Sequence, residues 1–87
     1  MYIKLIMNLK NELLTNIDEI HTTELGVKRI KNNLGLDDDN VVEYCNEILK
    51  NEKSTVENKG KNYYVYYNNI ILTINSSSFT IITAHRT

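Results

Sequence analysis

Gly60-Lys61-Asn62-Tyr63-Tyr64-Val65-Tyr66-Tyr67-Asn68-Asn69-Ile70-Ile71-Leu72-Thr73-Ile74-Asn75 is the stretch on which the fold turns. Aromatic and β-branched residues, which suit a pleated and half-buried surface, flank an Asn-Asn pair that tolerates the left-handed backbone of a tight hairpin turn. A two-residue turn at Asn68 and Asn69 sets Tyr67 opposite Ile70, Val65 opposite Leu72 and Tyr63 opposite Ile74 on one apolar surface. Tyr64, Tyr66, Ile71 and Thr73 then share the other surface.

Outward from this hairpin, Gly60 closes off an earlier strand over 54–58, and Ser76-Ser77-Ser78 separates a last strand over 79–85 from the strands at 62–67 and 70–75. An even-numbered serine loop extends the core surface with Phe79, Ile81, Thr83 and His85, leaving Thr80 and Ile82 on the opposite one. The first half of the chain changes period. Leu9, Leu13, Leu14, Ile17 and Ile20 recur at steps of three and four, predicting a helix over 8–20 with Asn8 as its cap. Val27, Ile30 and Leu34 predict a second helix that starts beyond Thr23 and stops at Gly35. Val41, Val42, Cys45, Ile48 and Leu49 form the stripe of a third, preceded by Asp37, Asp38 and Asp39 as capping residues. Residues 1–6 read as an alternative start, or as a short strand or helical extension. The expected fold is α+β, a single domain over 1–87: three N-terminal helices packed on one face of a four-stranded antiparallel meander.

With 87 residues the chain has room for one small core. Its 10 Lys and Arg against 11 Asp and Glu argue against strong non-specific binding to nucleic acid, which depends on summed phosphate neutralisation. The charge is uneven: residues 37–60 carry three basic and seven acidic groups, and residues 61–87 carry two basic groups and no acid. No apolar run approaches the roughly 18 residues that span a bilayer, and the single cysteine, Cys45, suits a reducing compartment, so a cytoplasmic protein without membrane contact is expected. No cofactor or metal is expected either. The Asp37–Asp39 run lacks the alternating ligands and glycine turn of a calcium loop, and Cys45 sits on an apolar stripe with no activating base nearby.

Two strings carry candidate chemistry. In Ile20-His21-Thr22-Thr23-Glu24-Leu25-Gly26-Val27-Lys28-Arg29-Ile30, an imidazole and two hydroxyls precede a helix N-terminus, and Arg29 follows on that helix. Free N–H groups at such an end can cradle phosphate or carboxylate, with Gly26 permitting close approach. The ordinary alternative makes Thr23 a helix cap and has His21 close the preceding helix through a backbone carbonyl. In Thr80-Ile81-Ile82-Thr83-Ala84-His85-Arg86, a hydroxyl and an imidazole share one strand face, an arrangement suited to proton transfer. Tyr64 and Tyr66 could present a stacking platform or a protein-binding patch.

The strings Ile-His-Thr-Thr-Glu-Leu-Gly-Val-Lys-Arg-Ile-Lys-Asn-Asn-Leu, Gly-Lys-Asn-Tyr-Tyr-Val and Thr-Ile-Ile-Thr-Ala-His resemble a family of small bacterial proteins designated domain of unknown function 3781, from about Met7 to Arg86. That resemblance implies no activity. A looser similarity, in element order and in His21, Arg29, Thr83 and His85, is to the barnase, colicin and RelE-like ribonuclease toxins. It implies metal-independent RNA cleavage, with His21 and His85 as general base and acid, Arg29 on the scissile phosphate, and Thr83, Thr22 or Lys61 assisting. The competing expectation is a non-enzymatic interaction protein, such as a phage- or plasmid-borne inhibitor of a host defence protein. It would bind through the tyrosine-bearing strand and the acidic segment 37–57. The partner is RNA in the first case and a protein in the second.

Overall fold

A computed structural model describes residues 2–87, with side chains from Leu9 onward. Three helices, α1 (Tyr2–Thr15), α2 (Glu24–Leu34) and α3 (Val41–Lys50), precede four strands, β1 (Thr55–Lys59), β2 (Asn62–Tyr67), β3 (Ile70–Asn75) and β4 (Ile81–Arg86). The strands form one antiparallel meander in the order β1-β2-β3-β4, so the α+β class and the strand topology agree with the sequence pattern. Among the described residues, no helix is long and apolar enough to cross a membrane.

The first helix departs from expectation at both ends. It begins by Tyr2, so residues 2–6 are a helical extension and Asn8 lies inside the helix rather than capping it. It stops at Thr15, and a 3-10 turn over Ile17–Glu19 replaces its expected last turns. Asn16 sits at the break, where its side-chain amide donates at 2.9 Å to the Glu12 carbonyl that also accepts its own helical N–H. That local competition favours a turn over continued helix.

The central hairpin has the expected register: Tyr67 faces Ile70, Val65 faces Leu72 and Tyr63 faces Ile74. Asn68 and Asn69 both take positive φ, 46° and 66°, as a two-residue turn of this hand requires. Leu72 and Val65 are fully buried and join one core with Leu13, Ile30, Leu34, Val41, Cys45 and Leu49 of the helices. Val56, Tyr63, Val65, Ile70, Leu72, Ile74, Ile81 and Ala84 supply the sheet's share of that core.

β4 corrects the expected face assignment. Ile74 pairs with Ile81 but Thr73 pairs with Thr83, so a β-bulge leaves Ile82 as an extra residue. An extra residue inverts the alternation beyond it. Ala84, and not Thr83 or His85, therefore faces the core beside Leu72. Thr83 and His85 belong to the outer surface with Tyr64, Tyr66, Ile71 and Thr73. Phe79 enters the strand with φ of 58°, and the strand itself starts at Ile81 rather than 79.

The two edges of the sheet differ. α2 and the residues just before it supply donors to carbonyls of β4: Asn33 Nδ2 of α2 reaches the Ala84 oxygen at 3.2 Å, while Thr22 Oγ1, ahead of α2, donates to the Ile81 oxygen at 2.7 Å. Arg86 in turn donates to the Leu34 carbonyl at 3.0 Å, placing a cation at the C-terminal end of the α2 dipole. Lys10 of α1 plays the same part for α3, with Nζ 2.6 Å from the Asn51 oxygen and 2.9 Å from that of Ser54. These contacts hold the helices and the sheet as one unit.

Candidate functional site

The N-terminus of α2 is closed by its own chain. Thr23 takes an extended conformation and its Oγ1 accepts from the Gly26 N–H at 3.0 Å, as an N-cap should. Thr22 turns the other way, to β4. A Cβ placed on Gly26 would lie 2.0 Å from Thr22 Oγ1, so the space that this glycine leaves open is filled by the threonine. Thr23 thus caps this helix end, and Thr22 fills the space beside Gly26.

His21 is also committed. Its Nδ1 lies 2.8 Å from the Glu19 carbonyl, which can only accept, so this nitrogen carries the proton of the neutral ring. Nε2 is 3.1 Å from the Thr80 hydroxyl and accepts from it, which engages the lone pair a general base would use. The backbone of His21 forms a single parallel bridge with Thr80 just before β4 begins. His85 lies toward the far end of that strand, exposed and opposite Ile71. The five strand steps from Thr80 to His85 span about 16 Å of extended chain, so the two histidines sit toward opposite ends of β4. Arg29 is exposed on α2 and, among the described residues, engages no partner. Lys61 lies in the β1–β2 turn, where its carbonyl accepts from Ser76. Thr83 accepts a bond from Asn33 at 3.3 Å. Tyr64 and Tyr66 lie half-buried on the outer surface, and a hydrogen bond with Glu57 pushes the Tyr66 phenol up from its usual range.

A groove forms elsewhere, where the acidic segment meets the end of the tyrosine-bearing strand. Its volume is about 620 Å³, within the range of ligand sites. Leu36, Tyr44, Ile48 and Tyr67 give it apolar and aromatic walls. Asp37, Asp38, Glu43 and Glu47 line it with carboxylates. The local order follows from hydrogen bonds around the start of α3: Asp38 accepts from the Asn40 N–H at 2.8 Å, and the Asn40 amide donates to Glu43. Asp39 points to α2 instead, where its 2.6 Å bond with Lys31 holds the carboxyl below its ordinary range and raises the ammonium. Asn51 reaches the Tyr67 hydroxyl at 3.4 Å. The sequence contains both halves of this site, but nothing local shows that the stretch 36–51 and Tyr67 face one another.

Among the described residues no group of three or more His, Cys, Asp and Glu could hold a metal. Cys45 is buried, and burial pushes its thiol up from 9.0 to about 12. Because the folded thiol keeps its proton where the unfolded one loses it, Cys45 contributes stability that is present below pH 9.0 and is lost as pH rises toward about 12. The loss should be about 1.4 kcal/mol per pH unit within that window. Urea midpoints at pH 8, 9 and 10 measure it, since Cys45→Val should flatten the alkaline decline. An equal decline in both proteins would remove Cys45 as its source.

No curated protein and no solved structure matches this chain. Residues 14–85, from the end of α1 to His85, match the family described as "Protein of unknown function (DUF3781)", and the chain belongs to that family.

Proposed function

We propose that this protein acts by binding and not by catalysis, as a small interaction module that takes a segment of another protein into the groove between α3 and the end of β2. The observation that carries this reading is the groove itself, which combines apolar walls with a polar rim, the anatomy of a protein-binding surface. The dispersal of the histidines supports it from the other side. Acid–base cleavage of RNA needs two proton-transfer groups within reach of one phosphate, whereas His21 is bridged to Thr80 ahead of β4 and His85 lies toward the other end of that strand. In this reading the three helices share one face of the sheet, and Tyr64, Tyr66 and His85 on the other face lie outside the binding site.

Two measurements test the proposal. Folded protein incubated with total bacterial RNA and no added metal should leave it intact. Cleavage that disappears in His21→Ala or His85→Ala would return the function to the ribonuclease reading. Panning a random peptide library on the folded protein should enrich sequences that perturb the amides of residues 36–51 when titrated in. Enriched peptides that touch only Tyr64, Tyr66 and their neighbours would move the binding site to the outer surface.

A further inference from the structure

Carboxylates crowd the groove and are only partly compensated by Lys31 and Lys50. From Leu36 to Leu49 the chain carries Asp37, Asp38, Asp39, Glu43 and Glu47 and no lysine or arginine. Asp39 has a close cationic partner in Lys31. Glu47 lies 3.8 Å from the exposed Lys50, and among the described residues Asp37, Asp38 and Glu43 have no cation paired with them. Repulsion between such groups is relieved by an incoming positive charge, and an anionic ligand would add to it.

The walls narrow the choice further. Tyr44 and Tyr67 offer ring surfaces to an ammonium or guanidinium, along which the methylene stem of Lys or Arg can lie. Leu36 and Ile48 call for apolar side chains as well, which neither an inorganic cation nor a polyamine supplies. Resting on the binding reading above, we infer that the occupant is a cationic amphipathic segment of a partner protein. Its aliphatic residues sit on Leu36 and Ile48, and its basic residues face Asp37, Glu43 and Glu47.

The test is a titration of isotope-labelled protein, followed by amide chemical shifts, with peptides of about 12 residues, about three helical turns. One peptide alternates Leu and Lys at helical spacing, a second carries Glu for each Lys, and a third keeps the Lys residues but replaces Leu by Gly; spermidine forms a fourth arm. The Leu/Lys peptide should perturb residues 36–51 and Tyr67, with affinity that falls as salt is raised from about 50 to about 500 mM. Asp37→Asn combined with Glu47→Gln, which preserves side-chain shape, should weaken it about tenfold, whereas Tyr66→Ala on the outer surface should not. Equal binding by the Glu peptide, or affinity indifferent to salt and to the carboxylate substitutions, would overturn the cationic assignment and leave a binding groove standing. Equal binding by spermidine or by the Gly-containing peptide would overturn the amphipathic one. If no arm perturbs residues 36–51, the groove is not a binding site and both proposals fall.

Discussion

Gly26→Ala should destabilise the protein by about 2 kcal/mol or more, against the helix-propensity trend, by which the exchange would gain about 1 kcal/mol within a helix. The new methyl carbon would stand 2.0 Å from Thr22 Oγ1, far inside contact distance. Either Thr22 rotates and abandons the Ile81 carbonyl, or α2 moves away from β4. The first course strands a part-buried acceptor and the second opens the packing of Ile30 and Leu34, and each carries a cost of about 1–3 kcal/mol. The two positions should be coupled. In the Thr22→Ala background the clash with the hydroxyl is gone and the remaining neighbours are the Cβ of residue 22 at 3.2 Å and the Thr23 oxygen at 3.4 Å, so Gly26→Ala should there cost much less, a few tenths of an ångström of adjustment being enough. Urea unfolding of the four proteins in this cycle measures the coupling. A Gly26→Ala protein as stable as wild type would mean that Thr22 does not fill this space, and would reopen the α2 N-terminus to a ligand.

The hairpin was readable because its determinants are local: two Asn residues that accept positive φ, and strands whose alternation makes register and burial the same question. Gly35 and Thr23 were readable for the same reason, since the left-handed stop and the hydroxyl cap each depend on a few neighbouring atoms. The parity of β4 was not. A bulge is one residue of slack between partners, and nothing in Thr80-Ile81-Ile82-Thr83 distinguishes the isoleucine that is skipped from the one that is buried. That single residue turned Thr83 and His85 outward. Around the first candidate string the structural tasks were equally hard to read, since His21 is held by Glu19 and Thr80, and Thr22 by Ile81, and the last two partners each lie 59 residues away in the chain. The groove remained hidden because its walls come from Leu36 and Tyr67, which only the tertiary fold brings together, although the acid-rich segment on its rim stands out by composition. Lys10 was equally silent, since an exposed-looking lysine on an amphipathic helix gives no hint that its ammonium closes another helix.

The register of β4 has a direct energetic consequence. Leu72 is fully buried at the centre of the sheet, between Val65 and Ala84. Its truncation to alanine should cost about 2–5 kcal/mol, the transfer free energy of the lost carbons plus the cavity left behind. Thr73, one residue on, points to the outer surface. Although only 8% exposed, it has few carbons to lose, and Thr73→Ala should cost about 1 kcal/mol or less. The bulge itself is tested on β4. Ala84 is fully buried where Asn33 of α2 approaches its carbonyl, so Ala84→Leu should overpack the interface by about 1–3 kcal/mol. His85→Leu, on the outer surface, should leave the urea midpoint nearly unchanged. Without the bulge Ala84 would face solvent and residue 85 the core, so Ala84→Leu would be nearly neutral and His85→Leu would shift the urea midpoint. A stable Ala84→Leu protein beside a His85→Leu protein with a shifted midpoint would therefore restore the uninterrupted alternation. His85 would then lie beneath the helices, where an imidazole would need buried hydrogen-bond partners that the leucines and isoleucines of the core cannot supply.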